Sequence, residues 1–172
     1  AALWAVPHPA WSATPGEDVP PLPQPPRDVV LPKFHQARLS NGIGMVVAPR
    51  RHSPLVTAVL MVRAGQEADA PGQAGVAAMT AALLSKGAVR RGQRQGAAEI
   101  ARQAEALGST LDTGAGWRST TLSMTLSVPR LEAGLALMTD CLLRPVLSVD
   151  ELERVRVQAV DAMHLTLGNP GE

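Results

Sequence analysis

The tripeptide Asp112-Thr113-Gly114, within the stretch LDTGAGWRST, could present a catalytic carboxylate. An aspartic-type protease needs two carboxylates that share a proton, each on a tight loop of an almost all-β body, so that their like charges split the two pKa values. The sequence holds one such tripeptide, and its flanking segments have the periodicity of amphipathic helices. We therefore interpret these residues as a hairpin or strand-entry turn, and keep aspartic-type catalysis through Asp112 as the least favoured alternative.

Histidine and cysteine side chains are the other candidates for metal binding or nucleophilic chemistry. Of the histidines, His8 lies near the N-terminus, His35 and His52 flank a predicted hairpin, and His164 lies far along the chain. This separation favours surface or partly buried histidines over a ligand set. The lone Cys141 sits among apolar residues of a predicted helix, which predicts a buried small apolar residue and not a reactive thiol.

Length and charge restrict the class of protein. A chain of 172 residues is long enough for one domain with a core, and a net charge of +1 without runs of like charge argues against a nucleic-acid partner. The basic cluster of Arg90, Arg91 and Arg94 is interpreted as a solvated loop between two helices. No segment has the roughly 18 uninterrupted apolar residues that a membrane span requires, so we predict no membrane span.

The first 32 residues differ in composition from the rest. AALWAVPHPAWSA is apolar and rich in small residues, and a proline-dense stretch follows it. This pattern predicts the remnant of a secretory signal peptide, with cleavage near Ser12 or Ala13, and a linker. We therefore divide the chain into a leader, 1–32, and a domain, 33–172, and expect export to the bacterial periplasm.

The elements that position these residues begin with strands. HQARLSNGIGMVVAPRR predicts two strands around an Asn41-Gly42 turn, and PLVTAVLMVRAG predicts a third. Two helices follow, in GQAGVAAMTAALLSKG, from Asp69 or Gly72, and in GAAEIARQAEALG. TTLSMTLSV then alternates apolar and hydroxyl side chains from Leu122 to Val128, which predicts a strand with one buried face.

Two further helices complete the predicted order β-β-β-α-α-β-α-α. The third helix opens at Pro129 and ends at Pro145, and the fourth begins with a capping box of Ser148 and Glu151. The apolar stripes assigned to the four helices are Val76, Met79 and Leu83; Ala97, Ile100, Ala104 and Leu107; Leu131, Leu135, Met138 and Leu142; and Leu152, Val155, Ala159 and Met163. We predict an α+β fold, a largely antiparallel sheet with helices packed on one face.

From about Phe34 onward the chain resembles the N-terminal domain of the pitrilysin/insulinase-like zinc peptidases. This family includes the mitochondrial processing peptidases and the bacterial two-subunit zinc proteases. The resemblance is carried by LSNGIGMVVAPRR, PLVTAVLMVRAGQEADAPGQAG, GVAAMTAALLSKGA, LGSTLDTGAGWRSTTLSM and VPRLEAGLALMTDCLLRPVLSVDELERVRVQ. It implies the half-domain fold of these peptidases, and it implies that the domain is incomplete at its C-terminus.

The resemblance also implies where a catalytic motif would lie. Active members carry His-x-x-Glu-His on a helix, where the two imidazoles bind zinc and the Glu acts as general base. Laid on this chain, those positions fall at Ala78, Ala81 and Ala82, and the third ligand falls near Ala159 to Asp161, where only Asp161 offers oxygen. We therefore expect no catalytic residue, no metal and no cofactor in this chain.

A metal-free member of this family implies a partner. In paired members one subunit holds zinc and the other completes the peptide-binding chamber. The expected function is a non-catalytic, peptide-binding subunit that joins a zinc-bearing peptidase subunit in a heterodimer and binds peptides by strand addition. The alternative is a binding or assembly protein that keeps the fold without a protease partner.

Overall fold

The structure is a computed structural model that describes residues 33–50 and 52–168. These form two units, divided near Arg50, and each is considered by itself. The predicted leader, 1–32, lies outside the described residues. The elements are β1 (His35–Arg38), β2 (Gly44–Val47), β3 (Leu55–Val62), α1 (Val76–Leu84), β4 (Gly87–Arg90), β5 (Gln93–Gly96), α2 (Ala97–Ala106), β6 (Asp112–Ala115), β7 (Thr120–Ser127), α3 (Leu131–Leu143) and α4 (Val149–Leu167).

The first unit is the predicted hairpin. Strands β1 and β2 pair antiparallel, and Gly42 takes a φ of +87°, a left-handed conformation that glycine tolerates without steric cost. The side-chain oxygen of Asn41 accepts a hydrogen bond from the N–H of Ile43 at 3.1 Å. The Asn41-Gly42 turn is thus confirmed.

The second unit is built on a three-stranded antiparallel sheet with the order β3-β7-β6. In the central strand, Leu122, Met124 and Leu126 are at most 1% exposed, which confirms the predicted buried face. The opposite face is uncovered in the described residues, since Val59 and Met61 of β3 are largely exposed there. The predicted strand residue Val128 is exposed, because β7 ends at Ser127 and a 3-10 turn follows.

The predicted loop around Arg90, Arg91 and Arg94 is a hairpin of β4 and β5. Arg91 and Gly92 both adopt positive φ, which closes a two-residue turn. Arg91 and Arg94 are exposed, as predicted. The prediction of a solvated Arg90 was wrong: its Nε lies 2.8 Å from Oδ2 of Asp140 on α3, and the pair is about four-fifths buried.

Helices α2 and α3 pack with β7 to form the main core. Its buried members are Leu84, Ala88, Ile100, Ala104, Leu122, Met124, Leu126, Leu137, Met138 and Cys141. The α+β class, the antiparallel sheet and the predicted helices are confirmed, with the β4–β5 hairpin and β6 added to the predicted order. No described helix is long and apolar enough to cross a membrane.

Some predicted stripe residues lie away from the core. On α3 the buried stripe runs through Gly134, Leu137, Met138 and Cys141, while Leu135 is exposed. Gly134 allows α3 to approach β7 closely, because a Cβ there would overlap Cδ1 of Leu126. Val76 on α1 and both Leu152 and Met163 on α4 are also exposed, and Val155 is the buried residue of α4.

The corner after β3 packs against the β6–β7 turn without room for a side chain. The N–H of Gln66 donates to the carbonyl oxygen of Gly116 at 3.0 Å. A Cβ on Gly65 would overlap that same oxygen and lie 2.5 Å from the backbone nitrogen of Ser119. Backbone atoms cannot rotate away as the end of a side chain can, so this corner requires glycine.

We expect Gly65→Ala to lower the free energy of unfolding by about 2 kcal/mol, because overpacking forces the two backbone segments apart. Gly114→Ala is the matched control, since an added Cβ on that β6 residue has no atom within 4 Å. Urea unfolding followed by far-UV circular dichroism measures both variants. Equal stability of the two variants would contradict the close packing at Gly65.

Candidate functional site

Helix α1, which carries the predicted motif positions, is fixed at its N-terminus by Asp69. The carboxylate accepts hydrogen bonds from the N–H of Gly75 and from the N–H of Ala77, both at 2.9 Å. A helix leaves its first N–H groups without partners inside the helix, and negative charge is favourable there. Asp69 therefore caps α1, and the helix begins at Val76, later than the predicted start at Asp69 or Gly72.

The three motif positions have different environments on α1. Ala78 is exposed, Ala82 is half-buried and Ala81 is 1% exposed. Positions 78 and 82 lie about one turn apart on the same side of the helix. A methyl group has no lone pair for a metal and no proton for acid–base chemistry. These three alanines can therefore act neither as metal ligands nor as a general base. Their assignment to the motif positions stays a prediction.

Helix α4, where the third ligand is predicted, packs against α1. Ala159 is half-buried, while Asp161 and His164 are exposed. In residues 33–50 and 52–168, no three His, Cys, Asp or Glu side chains come together in a group that could hold a metal ion. The fold brings the two helices together, and the described side chains do not make a metal site between them.

The other histidines lie outside this helix pair in the sequence. His35 lies on β1 and His52 follows the hairpin unit, and both are exposed. His8 lies outside the described residues. The surface interpretation of His35 and His52 agrees with their exposure.

Cys141 on α3 is fully buried. Burial raises the pKa of its thiol to about 11; the charge of Arg90 acts against this rise and that of Asp140 adds to it. A nucleophilic cysteine needs its thiolate at neutral pH, and here the thiol form is stabilised. The predicted burial of Cys141 is confirmed.

Asp112 lies in a strand and not in a turn. It begins β6, where it is exposed and pairs with Ser123 of β7. The tight turn comes later, between Gly116 and Ser119. The predicted hairpin or strand-entry turn at Asp112 was therefore wrong in position, and the strand does not form the Asp-Thr-Gly loop that an aspartic protease needs.

Strand β6 is the edge of the sheet next to α1. It is the terminal strand in the order β3-β7-β6, and α1 packs against it. A recess of about 570 Å³ opens beside its first residue, lined by Leu55, Glu105, Gly108, Ser109, Thr110, Asp112 and Thr125. Sequence reasoning missed this edge, because it assigned the residues of β6 to a turn.

Comparison with known proteins assigns the family. Residues 45–168 match the family Peptidase_M16, described as insulinase (peptidase family M16). Three solved structures are similar in fold. The M16 inactive domain from Pseudomonas fluorescens has a TM-score of 0.71 at 24% identity, a protease from Helicobacter pylori has 0.61 at 21%, and pitrilysin has 0.64 at 20%. No curated protein sequence matches this chain significantly.

The α+β fold of this chain resembles the folds of these three structures. This chain belongs to the insulinase family, peptidase family M16. The three alignments cover 81%, 70% and 79% of this chain but only 33%, 28% and 14% of the respective solved chains. The chain thus spans about a third or less of the length of these structures.

Introducing a carboxylate at position 81, the predicted general-base position, should destabilise the domain. We expect Ala81→Glu to cost more than about 2 kcal/mol at pH 7, because a buried carboxylate without a partner is poorly solvated. Ala78→Glu is the matched control on the exposed side of α1 and should be near neutral. Thermal and urea unfolding of both variants measure the difference.

The cost of Ala81→Glu should also depend on pH. Burial raises the pKa of the new carboxyl in the folded state above its unfolded value. The part of the penalty that comes from charge should vanish below the unfolded pKa, where both states are protonated, and grow as the pH rises from there to the folded pKa. A penalty that does not change with pH would show that position 81 accepts a charged side chain.

Cys141 provides a direct test of the core. We expect its thiol to resist 5,5′-dithiobis(2-nitrobenzoic acid) at pH 8 in the native protein and to react at once in denaturant, since it is the one cysteine of the chain. Because its folded pKa lies above the unfolded value, its contribution to stability should be lost as the pH rises from about 9 towards about 11. Fast labelling of the native protein would contradict the burial of Cys141.

Proposed function

We propose that this chain is a non-catalytic, peptide-binding member of the M16 family that works beside a zinc-bearing subunit of the same family. The observation that carries the proposal is alanine at positions 78, 81 and 82 of α1, where the family resemblance places zinc ligands and a general base. Membership of the family supports a role in proteolysis. The similar Pseudomonas fluorescens structure is an M16 inactive domain, so such domains occur in the family.

Strand addition to β6 is the mode of peptide binding that the fold favours. An edge strand of an antiparallel sheet offers N–H and C=O groups on its free side, and these bind an extended peptide with little dependence on its sequence. A peptide on β6 would lie beside α1, the helix that carries the predicted motif positions. We propose that the zinc which cleaves such a peptide belongs to the partner subunit.

The composition of residues 1–32 supports export, and we place the working complex in the bacterial periplasm. A second candidate function is a binding or assembly role without a protease partner. The burial of Ala81 favours it, because close packing explains alanine at that position without any relation to catalysis.

Purification from the native host separates these functions. We expect a mildly tagged full-length protein to co-elute with a second chain that carries His-x-x-Glu-His, identified by mass spectrometry. The mixture should cleave an unfolded peptide, chelator should stop the cleavage, and neither chain should cleave alone. Matched mock purification from an untagged strain controls for adventitious protease.

Two outcomes would overturn the proposal in different ways. Stoichiometric zinc in this chain together with cleavage by this chain alone would make it an enzyme. Elution without an M16 partner and without activity would leave the binding or assembly role.

A further inference from the structure

The turn between β6 and β7 presents two large side chains that neither the turn nor the core requires. The N–H of Gly116 donates to the carbonyl oxygen of Ser119 at 2.8 Å, so Trp117 and Arg118 are the two central residues. Neither has a positive φ, and neither is a residue type that two-residue turns favour. The Trp117 side chain is 67% exposed. Neither turn formation nor core packing therefore explains why Trp and Arg occupy these two positions.

The backbone of this turn is held firmly. The N–H of Glu67 donates to the carbonyl oxygen of Trp117 at 2.9 Å, and the Thr120 hydroxyl donates to the carbonyl oxygen of Ala64 at 2.9 Å. The bond from Gln66 to Gly116 and the close contact at Gly65 add to this support. A fixed backbone lowers the entropy lost when a side chain on it binds, so the backbone that carries the indole is preorganised.

The turn stands at the end of the free edge of β6. The Gln66 side-chain amide donates to the carbonyl oxygen of Ala115 at 3.1 Å. This bond occupies the outward-facing carbonyl oxygen of Ala115. Because Asp112 and Gly114 turn their backbone groups towards β7, a peptide added to β6 has both backbone groups of Thr113 and the N–H of Ala115 for its hydrogen bonds. When the peptide runs parallel to β6, its residues after the added strand pass the corner formed by Gln66, Trp117 and Arg118.

Arg118 has donors left for a ligand. Its Nε lies 3.6 Å from Oε2 of Glu67, and its side chain is 81% exposed. This single long ion pair leaves the two terminal nitrogens of the guanidinium facing solvent. A guanidinium fork binds a carboxylate through two parallel hydrogen bonds, and an indole face binds an apolar or aromatic side chain.

We propose that Trp117 and Arg118 select the peptides that bind along β6, by contacting an apolar side chain and a carboxylate that follow the added strand. The inference rests on the proposed peptide binding and names the class of peptide. The carboxylate comes either from a C-terminus or from an acidic side chain, since the guanidinium contacts are the same.

Fluorescence anisotropy with three labelled synthetic peptides tests the selection. The peptides share a Val/Thr strand-forming segment followed by Phe, and they end in a free carboxylate, in an amide, or in Glu with an amide. We expect the full chain to bind the free carboxylate or the Glu peptide about fivefold more tightly than the amide, the gain expected of one exposed charge pair. The tighter of these two peptides identifies the source of the carboxylate.

Arg118→Gln should abolish this preference and leave binding of the amide peptide unchanged. Arg102→Gln is the matched control, since Arg102 is also exposed and paired with a Glu, at 3.9 Å, but lies on α2. Trp117→Ala should weaken the binding of all three peptides, and Trp117→Phe should retain most of the wild-type binding. Protection of Cys141 from the thiol reagent verifies that each variant is folded.

The two proposals fail in distinguishable ways. Equal binding of the three peptides by the wild-type chain, unchanged by Arg118→Gln and Trp117→Ala, would overturn the selection and leave peptide binding intact. Absence of binding to any of the three peptides would overturn the peptide-binding function and the selection with it.

Discussion

The burial of one face of β7 is the interaction on which the rest of the domain depends. Leu122, Met124 and Leu126 are almost fully removed from water, and residues of α2 and α3 complete the same core. Burying side chains of this kind contributes roughly 1.5–3 kcal/mol each relative to exposure. Because β7 is central, its position sets β3 on one side and β6 on the other. The free edge and the turn beyond it are therefore consequences of this core.

The same core positions the helix pair of this member of the M16 family. Helix α1 is capped by Asp69 and packs against β6 and α4, so the helix pair on which the family resemblance places a metal site is present. The side chains at positions 78, 81 and 82 are methyl groups, and the buried one contributes to packing. In the proposed function, backbone groups of β6 bind the peptide, and this binding requires no metal ligand.

The sequence predicted best where one periodic face meets the core. The alternation in β7 and the stripes of α2 follow directly from burial, and the Asn41-Gly42 turn follows from local conformational preference. The sequence predicted poorly where contacts between distant segments determine whether a side chain is buried. Arg90 was predicted to be solvated because its partner, Asp140, lies far along the chain on α3. Leu135 was predicted to be buried, but the face of α3 that packs on Leu126 runs through Gly134. The free edge of β6 was missed because a four-residue strand with two small residues has too little pattern to distinguish it from a turn.

Amide hydrogen exchange on the full chain, with chelator present and with an extended peptide added, tests most directly whether the protein binds peptides without a metal. Peptide binding by strand addition should protect the amides of Thr113 and Ala115, which face the free side of β6, and leave the amides of the β4–β5 hairpin unchanged. This pattern would identify β6 as the peptide edge. Unchanged exchange along β6 at saturating peptide would contradict the account.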